Sequence, residues 1–130
     1  MELQPQHVLV LEDAPTYRSV VAYNLSQAGF KVTTAAEAGK ALLLAQHEHF
    51  DLAIVDYYLP DYPGTDFIKQ VREIDEYEHV PIVVLTARAE ELNLDYLRDD
   101  LSVLVLSKSC TMKHLVQTVT KCLAIAQTAS

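Results

Sequence analysis

Basic residues are scarce in this chain of 130 residues, and their scarcity limits what the protein can bind. Ten lysines and arginines stand against eighteen aspartates and glutamates, which gives a formal net charge of −8 at pH 7. Binding to nucleic acid or to an anionic membrane without sequence preference depends on clustered Lys and Arg. We therefore expect no direct nucleic-acid ligand and no membrane partner.

Long apolar runs, a secretory leader and paired cysteines are also missing. A bilayer span takes roughly 20 consecutive apolar residues, and no run in the chain approaches that length. The segment 1–7 lacks the basic and apolar regions of a secretory signal, so we expect a cytoplasmic protein. Cys110 and Cys122 are not spaced as a metal-binding or redox pair, and Cys122 falls on the apolar face of a predicted helix.

Four short apolar runs are present instead, and each of them ends at polar residues. The runs are 8–11, 52–55, 82–85 and 103–106. Runs of this length, rich in leucine and β-branched residues, are typical of strands buried on both faces of a parallel sheet. The residues that follow the four runs are Glu12 and Asp13, then Asp56, then Thr86, then Ser107 and Lys108. Ligands of open α/β sheets bind beyond the carboxyl ends of the strands, so we expect these side chains at one edge.

Segments with helical period lie between the strands. Their apolar stripes are Val20, Val21, Leu25 and Ala28; Ala38, Ala41, Leu42 and Ala45; Phe67, Ile68, Val71 and Ile74; a less clear stripe at 92–97; and Leu115, Val116, Val119 and Leu123. We expect every stripe to pack in the core. Pro15 and Gly29 are predicted to begin and end the first helix, and Thr111 to cap the last one. A weaker strand is expected at 31–35.

The resulting order, β followed by α five times, predicts the fold. Short connections and right-handed crossovers favour a doubly wound α/β fold, with a five-stranded parallel sheet and five helices. The length is near the commonest domain size, and no repeat or second-domain linker is visible. We predict one domain over residues 1–130, with a core of about 6–126.

The polar residues at the strand ends have the composition of a site for magnesium and a phosphoryl group. Mg²⁺ is usually held by one or two carboxylates together with waters and phosphate oxygens. Glu12, Asp13 and Asp56 bring three carboxylates together. Without metal these should repel one another, so at least one carboxyl pKa should rise. A carboxylate can also act as a nucleophile and form an aspartyl phosphate, while Thr86 and Lys108 would hold phosphoryl oxygens.

In these residues the chain resembles the receiver domain of bacterial two-component response regulators, with a flavodoxin-like fold. The pair 12–13, the segment 56–64, the pair 86–87 and Lys108 follow the family's order and spacing. The resemblance implies that Asp56 accepts a phosphoryl group from the phosphohistidine of a sensor histidine kinase or phosphotransfer protein. It also implies a downstream protein target and no catalysis beyond the domain's own phosphorylation and dephosphorylation.

The resemblance assigns a role to each residue of the site. Asp13, Asp56 and the backbone carbonyl of Tyr58 would hold magnesium, Glu12 would assist through water, and Thr86 and Lys108 would sense the phosphoryl group. Two further positions tune the lifetime of the phosphoryl group in such proteins, and here they are Tyr58 and Arg88. Because both side chains are bulky enough to screen an attacking water, we predict slow autodephosphorylation.

Two positions depart from the family's pattern. Proline usually follows the lysine, often after a cis peptide bond, but Ser109 follows Lys108 here. A cis bond before a non-proline residue costs about 2.5–4 kcal/mol, so we predict either a trans bond with a reshaped loop or a strained cis bond. Val105 replaces the family's aromatic residue three places before the lysine. We hypothesise that the surface of the fourth helix, last strand and last helix signals differently or weakly, which amide NMR shifts with a phosphate mimic would test.

Other functions remain open from the residues alone. The chain could be a receiver-fold interaction module that binds its partner without phosphorylation. A magnesium phosphatase would need a second acid two residues after Asp56, where Tyr58 stands, and a flavodoxin-like cofactor site would need a phosphate-cradling loop after the first strand. Leu97, Leu101 and Val103 could form an apolar patch for a homodimer, although burial in the core is the favoured interpretation.

Overall fold

The computed structural model describes residues 4–59, 61, 63–88, 92–100 and 102–129, and it contains the predicted five-stranded parallel sheet. The strands are β1 (His7–Leu11), β2 (Lys31–Ala35), β3 (Leu52–Asp56), β4 (Ile82–Thr86) and β5 (Val103–Ser107). Their order in the sheet is β2-β1-β3-β4-β5, and every neighbouring pair is parallel. The doubly wound fold predicted from the sequence is confirmed.

Helices connect the strands at nearly the predicted places. They are α1 (Pro15–Gln27), α2 (Ala38–His47), α3 (Gly64–Arg72), a short π-helix (Tyr96–Asp100) and α4 (Met112–Ala129), with a 3₁₀ turn at Asp75–Tyr77. Pro15 is the first residue of α1, and Gly29 follows its end with a φ of 99°, a conformation that favours glycine. The Thr111 hydroxyl accepts a hydrogen bond from the His114 amide at 3.0 Å and so caps α4 as predicted. None of the helices in the described part of the chain has the length and apolar character that crossing a bilayer requires.

The core forms two layers, one on each face of the sheet. Leu9 and Leu11 of β1 pack in the layer that contains α2 and α3, whereas Val8 and Val10 pack in the layer that contains α1 and α4. The strands β1, β3 and β4 are buried along their whole length, as continuous apolar runs predict. Cys122 is partly buried against the second layer, in agreement with its predicted place on an apolar helix face.

The prediction of full burial was wrong for β5, because this strand lies at the edge of the sheet. Only Val103 of the apolar run is buried, and 44% of Leu104 is exposed. Leu97 and Val103 are buried, so neither contributes to a surface patch, and Leu101 lies outside the described residues. The homodimer therefore stays a hypothesis, and Leu97 and Val103 do not support it.

Three helical details also differ from the prediction. Val20 and Ala28 are exposed, whereas the buried residues of α1 are Val21 and Leu25. Ile74 lies beyond the end of α3, where it is partly buried before the 3₁₀ turn. The fourth helix, predicted at 92–97, is a short π-helix placed slightly later in the chain.

Candidate metal and phosphoryl site

The predicted site residues meet at the carboxyl edge of the sheet, because the parallel strands all end there. Strand β3 lies between β1 and β4, so the acidic pair after β1 and the end of β4 flank Asp56. Thr86 at the end of β4 is paired with Ser107 of β5, which brings Lys108 to the same edge. The sheet order thus collects residues that are far apart in the sequence.

Three carboxylates lie close together at this edge. We call these three residues, Glu12, Asp13 and Asp56, the acidic cluster. One carboxylate oxygen from each residue lies within 4.8 Å of the others. Glu12 and Asp56 are buried, at 2% and 4% exposure, whereas Asp13 faces solvent. Such an all-oxygen set, with one side open to water, fits Mg²⁺, which keeps several waters when bound. The Tyr58 amide donates to Asp56 Oδ1 at 3.2 Å, so the Tyr58 backbone adjoins the cluster.

Lys108 supplies the positive charge of the site. Its Nζ lies 2.7 Å from Glu12 Oε1 and 3.2 Å from Asp56 Oδ2, and its side chain is 22% exposed. Burial alone would lower the pKa of Lys108, but the hydrogen bond to Glu12 and the charge of Asp56 outweigh it and raise that pKa. The Lys108 amide donates to the Thr86 carbonyl oxygen at 2.8 Å, which fixes the start of the loop.

Asp56 titrates far from the usual range of an aspartate. Burial, followed by repulsion from Glu12, raises the pKa of Asp56 to about 7, and Lys108 only partly opposes this. The rise agrees with the expectation from crowded carboxylates. A divalent ion at the cluster would favour the charged carboxylate, which is the nucleophilic form.

The other predicted residues surround this centre. Thr86 is buried, and its hydroxyl oxygen accepts a hydrogen bond from the Arg88 amide at 3.1 Å. Tyr58 is 48% exposed, and its ring meets that of Tyr57 edge-on with centroids 4.8 Å apart. Arg88 is exposed as well, so both of the positions that were predicted to tune the lifetime of the phosphoryl group lie at the rim of the site. Val105 lies deeper on β5, half-buried against the core.

The loop after β5 takes the first of its two predicted forms. No cis peptide bond occurs in the described part of the chain, so Lys108 and Ser109 are joined in trans. The Ser109 amide donates to Ser107 Oγ at 3.1 Å, and the Cys110 amide donates to the Ser107 carbonyl oxygen at 3.0 Å. A serine-based turn therefore shapes this loop.

The contacts of two polar side chains, Arg18 and Asp61, were missed by the sequence analysis. Arg18 Nη1 donates to the backbone carbonyls of Glu12 and Asp13, at 2.9 and 3.2 Å, and so holds the acidic pair in place. Asp61 accepts hydrogen bonds from the first two amides of α2, at 3.3 and 3.2 Å. Arg18 follows Asp13 by five residues at the start of a helix, a spacing that could have suggested this contact.

Comparison with known proteins places the chain in one family. The family model of the response regulator receiver domain matches residues 8–120. The phosphate regulon transcriptional regulatory protein PhoB of Rhizobium meliloti is 36% identical over 84 residues, which cover 65% of this chain and 37% of that protein. Chemotaxis protein CheY-3 of Vibrio cholerae is 32% identical over 84 residues, which cover 64% of this chain and 65% of that protein.

Solved structures show the same likeness in three dimensions. The chemotaxis response regulator CheY4 of Vibrio cholerae superposes with a TM-score of 0.84 and 29% identity, covering 92% of this chain and 99% of that one. The matched segments span less than two thirds of the length of both curated relatives, PhoB and CheY-3. The likeness therefore concerns the domain rather than the full activity of longer regulators.

Proposed function

We propose that Asp56 is the phosphoryl acceptor of this chain, which belongs to the response regulator receiver domain family. The observation that carries the proposal is the position of Asp56, buried between a lysine ammonium group and two further carboxylates at the sheet edge. Phosphoryl transfer needs positioned groups and neutralised charge more than covalent chemistry by the protein. The site offers both.

The roles of the side chains follow from their contacts. An Asp56 carboxylate oxygen would attack the phosphorus of a phosphohistidine, and the P–N bond would break as the histidine nitrogen takes the electron pair. Lys108, already 3.2 Å from Asp56 Oδ2, would bind an oxygen of the transferred group. The Thr86 hydroxyl would donate to another. Glu12, Asp13, Asp56 and the Tyr58 carbonyl would hold Mg²⁺, which when bound would neutralise the charge that gathers on the phosphoryl oxygens.

Signal relay is the consequence we propose. Receiver domains of this family interact with histidine kinases or phosphotransfer proteins and with downstream targets. For this chain we propose a sensor histidine kinase or phosphotransfer protein as the donor, and a protein target whose binding changes with phosphorylation. The favoured setting is the cytoplasm. The intact acidic cluster and Lys108 favour this function over a phosphorylation-independent module.

Intact-mass analysis after incubation with acetyl phosphate tests the proposal. We expect one phosphoryl adduct that requires Mg²⁺ and disappears in Asp56→Ala, because no other aspartate in the described residues combines burial with a contact to Lys108. Asp66→Ala is the matched control, since Asp66 is exposed on α3, and it should still form the adduct. The absence of an adduct with several donors would instead support the interaction module.

The lifetime of the adduct gives a second prediction. Tyr58 and Arg88 both lie at the rim beside Asp56 and Thr86, where their side chains can restrict the approach of water. In Tyr58→Asn and Arg88→Ala we expect the phosphoryl group to be lost about two- to tenfold faster, a change of about 0.4–1.4 kcal/mol in barrier. The decay of the adduct after removal of the donor measures this, with Tyr23→Asn on α1 as control. Unchanged half-lives in both variants would refute the screening role.

A further inference from the structure

The ring of Tyr17 forms a third contact of the Lys108 ammonium group. Tyr17 lies in the first turn of α1, and its ring centroid is 5.0 Å from Lys108 Nζ. A cation at this distance from an aromatic face is attracted by the negative potential of the ring. The ammonium group therefore has Glu12, Asp56 and an aromatic ring around it.

Packing, rather than hydrogen bonding, keeps the Tyr17 ring in this place. The side chain is half-buried against the core layer of α1 and α4, together with Cys110 and Met112. Its hydroxyl is buried and has no hydrogen-bond partner among the described residues. A buried hydroxyl without a hydrogen-bond partner is unfavourable, so the favourable contacts of Tyr17 are those of its ring.

Apart from these side-chain contacts, Lys108 is held by few backbone contacts in the described residues. The Lys108 amide is anchored on Thr86, but the loop that follows is shaped by the side chain of Ser107 and passes through the exposed Ser109. A lysine has a flexible four-carbon stem, and ordering it in one rotamer costs entropy. An aromatic ring beside the ammonium group reduces the number of conformations that the side chain can adopt.

We propose that Tyr17 is a positioning residue, whose ring holds the Lys108 ammonium group beside Asp56 for phosphoryl transfer. The proposal rests on the proposed function of Asp56 and Lys108. Tyr17 acts through Lys108, the residue whose ammonium group its ring contacts. The ring, and not the hydroxyl, carries the effect.

The geometry is tested first, in the unphosphorylated protein and without any activity measurement. Protons lying over an aromatic face resonate upfield, so the ε-protons of Lys108 should be shifted upfield relative to those of exposed Lys113. We expect Tyr17→Phe to keep this shift and Tyr17→Leu to abolish it. The absence of the shift in the wild-type protein would overturn the proposal, even if Tyr17→Leu failed to fold.

The second test compares initial rates of adduct formation with acetyl phosphate and Mg²⁺. We expect Tyr17→Leu to be about five- to tenfold slower, the size of one partly desolvated cation–π contact, while Tyr17→Phe keeps the wild-type rate. Tyr23→Leu is the control, because Tyr23 is 63% exposed on the same helix. Equal rates in Tyr17→Leu and wild type would overturn the positioning role and leave Asp56 as acceptor.

Rescue by phenylalanine separates positioning from a general role in folding. Tyr17→Phe and Tyr17→Leu both remove the unpartnered hydroxyl, and only the first keeps an aromatic face beside Lys108. A slow Tyr17→Phe variant would contradict the proposal, because the ring would then be insufficient. If the wild-type protein forms no adduct at all, the proposed function fails, and the upfield shift of Lys108 still decides whether the contact exists.

Discussion

Asp56→Asn is expected to stabilise the metal-free protein at pH 8 by about 2–3 kcal/mol, although it removes the proposed phosphoryl acceptor. Burial and repulsion from Glu12 raise the pKa of Asp56 from 3.8 to about 7, which means that folding disfavours its charged form. Each pKa unit corresponds to about 1.4 kcal/mol, and losing the Lys108 contact subtracts part of the gain. Asparagine has nearly the same shape and carries no charge to repel Glu12.

The direction of the pH dependence follows from the raised pKa. A carboxyl group whose folded pKa lies above its unfolded value favours the folded state when protonated. Its stabilising contribution is therefore complete below about pH 4 and is lost as the pH rises towards 7. We expect Asp56→Asn to lack this loss, so the two proteins should differ little at pH 4 and most at pH 8.

Urea unfolding followed by circular dichroism, with a chelator present, measures the difference. Asp66→Asn is the control, since it removes an exposed carboxylate and should change stability little. In a second series without the chelator, Mg²⁺ should stabilise the wild-type protein by about 2.7 kcal/mol at a concentration a hundred times its Kd, and it should stabilise Asp56→Asn much less. An Asp56→Asn variant that is no more stable than wild type at pH 8 would contradict the repulsion argument.

The convergence of these charges could be predicted from the sequence, and the reason is topological. A continuous apolar run predicts a strand covered on both faces, and parallel strands end at a common edge. Asp56, Thr86 and Lys108 each follow such a run, so their meeting required only the correct strand order. Burial patterns were less predictable, because the run at 103–106 does not reveal that β5 is an edge strand with Leu104 exposed.

Contacts made by helices and loops were harder to predict than those made by strand ends. Tyr17 and Arg18 reach the site because α1 begins shortly after β1 ends. The direction in which their side chains point depends on the rotation of this helix about its axis. The burial of Tyr77, which lies in the 3₁₀ turn, was also missed. Its hydroxyl donates a hydrogen bond of 2.8 Å to the Ala45 carbonyl oxygen. A single polar-rich turn of three residues carries no periodicity that could indicate burial.

Gly64→Ala is expected to disturb β3, the strand that ends at Asp56, because Gly64 packs directly on the end of this strand. A Cβ added at Gly64 would lie 2.6 Å from the Asp56 carbonyl oxygen, 3.1 Å from Tyr57 Cα and 3.2 Å from Val55 Cγ1. The first two are backbone atoms, which cannot move away without displacing the end of β3. The Gly64 amide also donates to the Tyr57 carbonyl oxygen at 2.8 Å, and this bond joins the start of α3 to the strand.

We therefore expect Gly64→Ala to lose about 2–3 kcal/mol of stability, the cost of overpacking a close contact, and to form the phosphoryl adduct more slowly. Gly39→Ala is the matched control, since Gly39 is exposed near the start of α2 and no atom lies within 4 Å of an added Cβ. Alanine favours the helix there, so this variant should gain up to about 1 kcal/mol. Urea unfolding should therefore show a loss of stability in Gly64→Ala and a gain in Gly39→Ala, and adduct formation should be slower only in Gly64→Ala. Equal stability of Gly64→Ala and the wild-type protein would show that α3 can move away from Asp56 without cost.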